Sequence, residues 1–385
     1  MDNRNLNYEI AIIGSYPNAY NVRDGMMQRI KNIDGVFINK RRIYLDLSLR
    51  KYVRAEYSEQ NGELAIFRMN YFFSIFKVLK ELRHVKVIYI HSIYNLERIL
   101  IPLMILSKMN NKAMRLILDF HGIVPEELKY VHKLLASGVM SSVEKAFFST
   151  LSRKFECSAV FVTKKMQEFY QKKYSHEFVN LKASVIYPIL PKNGLRELVE
   201  KDQVMIKELR AKLSIEESDI VVGYSGNLQK WQNIDLMLRY IAECSSQHNV
   251  KFLILTGHVS AFMRWLENYE AIPRNRIKIL SVEPQHLWLY YSVMNYGFVL
   301  RDNIDVNQVA NPTKLVEYLF YGIVPIVLSP KIGDYDELGY DYIRAEDLCR
   351  RKLTPAKSAK NQHIIAKMIQ DVEVARIELM TLCQC

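Results

Sequence analysis

Lys314 and Glu317 stand three residues apart at the start of a segment, Asn311 to Pro325, that reads as a helix with both ends marked. At that spacing a cation and a carboxylate share one face of the helix. Asn311 suits the N-cap, Pro312 the first helical position and Gly322 the residue just past the end. Leu315, Val316, Leu319 and Phe320 make an apolar face, and Lys314, Glu317, Tyr318 and Tyr321 gather on the other. The backbone N–H groups of Thr313, Lys314 and Leu315 are expected to lack intrahelical acceptors, where the helix dipole is positive. Such a place suits a diphosphate, with Glu317 set to accept from hydroxyls such as those of a ribose. An ordinary amphipathic helix with a solvated charged face has the same pattern, so the rest of the chain must decide.

Other residues could share that chemistry. Lys230 is the only cation in the loop that follows Ser225-Gly226-Asn227, and Arg301 closes an expected strand just before the Asn311 helix. A fixed cation in a water-poor site stabilises a departing phosphate by a few kcal/mol. Lys230 equally suits a solvated loop lysine, and Arg301 an ion pair with Asp302 or Asp305. In the first half, His121 follows the buried-strand run Met114 to Phe120 and is followed by Gly122. That is where α/β sites place reactive groups. His91 ends a second such run and is a candidate for acceptor contact. Gly14, Asp24 and Gly25 belong to the first loop, where a small residue lets a helix N-terminus come near a phosphate or sugar. Asp334-Tyr335-Asp336 is expected to be a surface loop, because no other carboxylate or His cluster accompanies it. No metal site is expected.

The elements needed to position these residues alternate along the chain. Strands are expected at Tyr8 to Gly14, Arg42 to Leu47, Leu64 to Met69, Val85 to Ile90, Met114 to Phe120, Ala159 to Val162 and Ser184 to Ile186, with helices at Gly25 to Ile33, Tyr71 to Arg83, around Ile99 and between Pro125 and Lys154. Pro188 and Pro191 mark a break, and the charged stretch Lys192 to Lys201 reads as a linker. After a helix at Asp202 to Leu213 the alternation restarts. Its strands are Asp219 to Tyr224, Lys251 to Leu255, Arg276 to Leu280, Gly297 to Leu300 and Val324 to Leu328. The fold class is therefore α/β, with two doubly wound Rossmann-like domains facing a cleft. The domains are 1–190 and 191–354, with a helix in 355–385 packing back on the first domain.

Three segments carry a resemblance. They are Val222-Gly223-Tyr224-Ser225-Gly226-Asn227-Leu228, Asn295-Tyr296-Gly297-Phe298-Val299-Leu300-Arg301, and Pro312-Thr313-Lys314-Leu315-Val316-Glu317-Tyr318 through Gly322 to Pro325. The second half so resembles the nucleotide-binding domain of GT-B glycosyltransferases, most closely family 4 and its relatives. Asp119-Phe120-His121-Gly122-Ile123-Val124-Pro125 resembles that family's strand-end histidine motif.

The resemblance implies an enzyme that moves a sugar from a nucleotide-diphosphate sugar to a glycan or lipid-linked acceptor in surface polysaccharide synthesis. The transfer would be retaining and metal-independent, with the sugar nucleotide as substrate and no cofactor. His121 would orient the donor sugar and Lys230 would take up leaving-group charge. Glu317 would hold the ribose, while Thr313, Lys314 and Leu315 would contact the diphosphate. Gly14, Gly25, Gly226, Asn227 and Arg301 complete the donor side, with Asp24 and His91 on the acceptor side. The family often has a glutamate where this chain has Val309, and an arginine where it has Asn227. A catalytically silent sugar-nucleotide-binding protein and a GT-B sugar-nucleotide epimerase are the alternatives.

Composition sets the limits. A chain of 385 residues that is 49% hydrophobic can bury two cores. The five cysteines are scattered without metal-ligand spacing, as expected of reduced residues in a cytoplasmic protein. The polar start runs straight into a strand, so no signal peptide is expected. The longest apolar run, Ile99 to Leu106, is far short of the ~20 residues a membrane helix needs.

Net charge is +12, and residues 1–190 hold all of the excess, with 29 Lys+Arg against 17 Asp+Glu. Its patches are Lys40-Arg41-Arg42, Arg50 to Arg54, Lys164-Lys165 and Lys172-Lys173. They suit an anionic membrane surface, which adds a peripheral seat on the inner face of the cell membrane to the expected location. Plain solubility charge accounts for them equally well. No helix-turn-helix, zinc or single-strand-binding signature accompanies the charge, so nucleic acid is not an expected partner.

Overall fold

In the computed structural model of the chain, residues 8–18, 25–48, 56–60, 62–109, 114–191, 195–244, 247 and 249–383 are described. The chain divides into two units. One comprises Met1–Ile189 with Asp371–Cys385, and the other Leu190–Gln370.

The first unit is built on eight strands: β1 (Ile10–Ile13), β2 (Arg42–Leu47), β3 (Glu56–Gln60), β4 (Leu64–Met69), β5 (Val87–His91), β6 (Arg115–Phe120), β7 (Glu156–Phe161) and β8 (Ala183–Ile186). They lie in the order β3-β4-β2-β1-β5-β6-β7-β8. All neighbours are parallel except β3 and β4. Every residue of β1, β2 and β5 is buried, which explains their continuous Ile, Leu, Val and Tyr runs. From β1 the chain first winds outward through β2 to β4 and then returns to the opposite side of β1 at β5. That reversal opens a crevice beyond the carboxyl ends of β1 and β5.

The second unit repeats the plan with β9 (Ile220–Ser225), β10 (Val250–Leu255), β11 (Ile277–Leu280), β12 (Tyr296–Val299), β13 (Val324–Val327) and β14 (Ile343–Arg344). The order is β11-β10-β9-β12-β13-β14, parallel throughout. Its reversal lies between β9 and β12, where Gly223 and Gly297 stand in register. A Cβ on Gly297 would come 2.3 Å from the Tyr318 ring, and one on Gly223 would come 2.1 Å from Met294. The two glycines let a tyrosine and a methionine seat on the sheet at the point where the site forms.

The strands expected at Arg42–Leu47 and Leu64–Met69 and the helix at Asp202–Leu213 have those bounds. The antiparallel edge strand β3 and the helix Lys164–Lys173 had no counterpart in the sequence reading, although Thr163 caps that helix by accepting from the Met166 amide at 3.0 Å. The cysteine expectation needs correcting. Cys244 and Cys349 form a disulfide across 105 residues, while Cys157 and Cys383 are free and buried. Cys244 ends the helix Ile234–Glu243 and Cys349 follows the turn Ala345–Asp347, so only the fold brings them together. Among the described residues no helix is long and apolar enough to cross a membrane.

Candidate functional site

In the first unit Gly14, His91 and His121 meet at the carboxyl ends of β1, β5 and β6. Alternation along β6 sends Phe120 into an aromatic cluster with Phe148, Phe161 and Tyr170, and Asp119 to the other side. Asp119 is fully buried. Arg29, also fully buried, reaches it from the helix Gly25–Val36, its Nε 2.9 and 3.0 Å from the two carboxylate oxygens and its Nη2 2.5 Å from Oδ1. A further Arg29 nitrogen donates to the Tyr187 carbonyl at 2.5 Å.

Both histidines turn one ring nitrogen to the remaining oxygen. His121 Nε2 is 2.9 Å and His91 Nδ1 3.1 Å from Asp119 Oδ2. Burial alone would raise the Asp119 carboxyl, but Arg29 and the two imidazoles outweigh it and hold it well below the usual carboxylate range. Burial pushes His91 down to about 4, against the pull of Asp119, so its ring is neutral.

That leaves His91 Nε2 and His121 Nδ1 as buried nitrogens without a protein partner. His121 is 6% exposed and His91 not at all. Gly14 lies over His91, where a Cβ would rest 3.4 Å from the imidazole. Ser92 follows at φ +68°, a left-handed conformation that costs a serine on the order of 1–3 kcal/mol and that clusters at functional sites. Donors from His91, Asp119 and His121 lie within 4.8 Å of one another, as in a metal site. In the same group Arg29 brings a positive charge to Asp119, and Asp119 in turn bonds the His121 ring. Asp24 lies outside the described residues, and Gly25 is the first residue of its helix.

In the second unit Gly226, Asn227, Arg301, Lys314 and Glu317 come together beyond β9 and β12. The helix runs from Thr313 to Phe320 and has Pro312, not Asn311, at its N-cap. Asn311 cannot cap it, because its side-chain oxygen accepts from the Tyr335 hydroxyl at 2.6 Å. The first turn is tight, with the Pro312 carbonyl taking the Leu315 amide at 3.0 Å and the Val316 amide at 3.3 Å. Leu315 therefore has an intrahelical acceptor after all and is fully buried, which leaves the amides of Thr313 and Lys314 as those without an intrahelical acceptor among the described residues. Tyr335 itself is buried in a one-turn helix, so Asp334-Tyr335-Asp336 is not the surface loop expected.

Lys314 does not extend into solvent. Its Nζ donates to Gln232 Oε1 at 2.8 Å and lies 3.9 Å from the centre of the Tyr224 ring. This fit depends on Gly226, at φ +149°, where a Cβ would come 3.1 Å from Nζ. Burial pushes the Lys314 ammonium well below the usual lysine range and Arg301 adds to the push, with Glu317 opposing. One turn on, burial raises the Glu317 carboxyl to about 7, in spite of Lys314 and the Tyr291 hydroxyl, which donates to Glu317 Oε2 at 3.0 Å. That hydroxyl is also 2.9 Å from Ser225 Oγ, while Tyr318 accepts the Ser225 amide at 2.9 Å. Tyr318 and Tyr321 thus sit in the core and not on a solvated face.

Lys230 is exposed on the turn Lys230–Gln232 and Asn227 is exposed beside it. Asn233 ties this loop to the end of β12 through the Leu300 carbonyl (2.9 Å) and Asp302 (3.0 Å). Arg301 donates to Asn307 at 3.1 Å. Sequence reasoning missed Arg29, Gln232 and Tyr291. Arg29 and Gln232 act across 90 and 82 residues and Tyr291 reaches Glu317 across 26, and no local pattern marks any of them.

No protein-family model matches the chain, and no curated protein matches it. Solved structures do. HepE of Anabaena, in complex with UDP and glucose, is similar at 12% identity with a TM-score of 0.60, over 97% of this chain and 100% of that one. An E. coli trehalose-6-phosphate structure bound with UDP-2-fluoro glucose is similar at 11% identity with a TM-score of 0.64, over 98% and 99%. The alpha,alpha-trehalose 6-phosphate synthase of Burkholderia multivorans is similar at 12% identity with a TM-score of 0.64, over 98% of each chain. At such identities the likeness is one of fold, and the fold is GT-B, with two Rossmann-like units in one chain.

Proposed function

We propose that this protein is a glycosyltransferase whose second unit holds a nucleotide-diphosphate sugar. The observation that carries the reading is the Lys314–Glu317 pair. A lysine pushed toward neutrality and a carboxylate pushed up to about 7 flank two amides without an intrahelical acceptor beyond a topological switch point. A diphosphate restores full charge to Lys314 and accepts from the Thr313 and Lys314 amides, while ribose hydroxyls donate to Glu317. Arg301, Lys230, Asn227 and Gly226 complete that side. The similar structures in complex with UDP or bound with a UDP sugar support the same donor class.

In the transfer, the bond between the anomeric carbon and the β-phosphate oxygen breaks and a bond to an acceptor hydroxyl oxygen forms. The acceptor proton passes to the leaving phosphate, whose charge Lys230 and Lys314 stabilise. His121 is held by Asp119 and offers Nδ1 to a sugar hydroxyl, with Gly14 and Gly25 allowing close approach. His91 and Asp24 belong to the acceptor side, His91 acting through His121. A glycan or lipid-linked acceptor in surface polysaccharide synthesis, retention of configuration, independence from metals and cofactors, and a cytoplasmic setting belong to the same proposal.

A thermal-shift screen of nucleoside diphosphates and their sugars tests it. A ligand at a hundred times its dissociation constant should add about 2.7 kcal/mol of stability. His121→Ala should keep that shift and slow transfer. Unaltered turnover in His121→Ala removes the residue from the mechanism. Binding without turnover on any acceptor favours a silent binder, and release of a rearranged sugar without acceptor favours an epimerase.

A further inference from the structure

We propose that the first unit docks on an anionic lipid bilayer through the outer face of three neighbouring helices, Ile75–Leu82, Ser92–Lys108 and Leu134–Ala146. The middle helix packs against both of the others and against β5 and β6. It is apolar on two sides. Ile93, Leu96, Ile99, Leu103 and Leu106 are buried, yet Ile101, Met104 and Ile105, at helical spacing, face solvent. A surface helix normally turns a polar face outward.

The flanking helices continue the pattern. Val78 and Leu82 anchor the first, while Phe76 is 81% exposed, and Phe72 and Phe73 just before it are 69% and 84% exposed. The amides of Phe72 and Phe73 bond to Asn70 Oδ1 at 3.1 and 3.4 Å, and the two rings meet edge to face, so a built turn presents them. On the third helix Leu134 is 69% and Leu135 91% exposed. Apolar side chains gathered in this way mark a docking surface.

Charge selects the occupant. Among the described residues of these helices, the exposed charged side chains are Lys77, Lys80, Lys108 and Lys145, all basic. The acidic ones, Glu81, Glu97 and Glu144, are partly or fully buried. Lysine is depleted at protein interfaces, and a second copy in two-fold contact would set these lysines against one another. An anionic leaflet instead takes the lysines at its phosphates and the Phe and Leu tips at the acyl boundary. The surface uses no residue assigned to the nucleotide, so the two readings stand or fall separately.

The test is co-sedimentation of the full chain with phosphatidylcholine vesicles with and without phosphatidylglycerol. Thermal unfolding and UDP binding serve as controls for the fold. The wild type should partition onto the anionic vesicles about tenfold or more over the neutral ones, and salt should weaken it. The variant Phe72→Ser/Phe73→Ser/Phe76→Ser should lose about tenfold or more of that partition with unchanged unfolding. Lys77→Glu/Lys80→Glu should lose a similar amount, whereas Lys207→Glu in the second unit should not. The proposal is overturned if the wild type ignores phosphatidylglycerol, if the Phe variant binds as the wild type does, or if the Phe substitutions break up a dimer in solution.

Discussion

Asp119 is a fully buried carboxyl group and Glu317 a half-buried one, each near the reversal point of a parallel sheet, and their surroundings drive them in opposite directions. Around Asp119, Arg29 and two imidazoles more than offset the cost of burial, so the carboxylate stays charged at any moderate pH. Around Glu317, burial prevails over Lys314 and Tyr291, and the group is half protonated near neutrality. In the first network the charge of the carboxylate is met within the protein, and a histidine is held in place. In the second both the lysine and the carboxyl are shifted toward neutrality, so binding energy from a ligand can be taken up there.

The widest separation between the two should appear in Arg29→Ala. Leaving Asp119 charged, buried and unpaired should destabilise the first unit by about 3–5 kcal/mol in urea unfolding. A loss under about 1 kcal/mol would mean that the histidines suffice and that the contrast is overstated. Lys314→Met is the matching change in the second unit. Ligand-free stability should hold or rise, since a desolvated ammonium is replaced by an apolar chain of similar length. UDP affinity should fall roughly ten- to a hundredfold, the worth of a charged hydrogen bond, as calorimetry would read.

Glu317→Gln sharpens the comparison through pH. The folded-state value of about 7 lies above the ordinary 4.5, so the folded protein holds the proton more tightly than the unfolded chain. Raising pH from about 4.5 to 7 should therefore cost the ligand-free wild type stability that the Gln variant retains. UDP should bind the wild type progressively better than the variant as pH passes 7, by up to about tenfold. Parallel pH profiles for the two proteins would take Glu317 out of ribose binding. The smallest effect, about 1 kcal/mol or less, is expected for Tyr291→Phe, which removes a hydrogen bond to the ionised carboxylate and should move the Glu317 midpoint higher still.

The alternation of buried strands and helices was legible because most of the parallel strands are runs of largely apolar residues. The positions beyond the strand ends were legible too, and Gly14, His91 and His121 meet in one unit while Gly226, Arg301, Lys314 and Glu317 meet in the other. Their partners were not. Arg29 reaches Asp119 across 90 residues and Lys314 meets Gln232 across 82, distances at which sequence spacing carries no information. The chemistry attached to Lys314 changed for the same reason. From sequence it offered a backbone amide, and only the glycine at 226 and the Tyr224 ring show that its ammonium is drawn inward. The edge strand β3 was hidden by its polar composition, since Glu56, Ser58, Glu59 and Gln60 give no two-faced apolar run.

The helix Ala359–Leu382 ends in residues that belong to the first unit, with Leu379 fully buried and Cys383 nearly so. During synthesis, then, the part of the chain made first cannot finish its core until residues 371–383 have left the ribosome. Removing those residues should therefore damage the amino-terminal half.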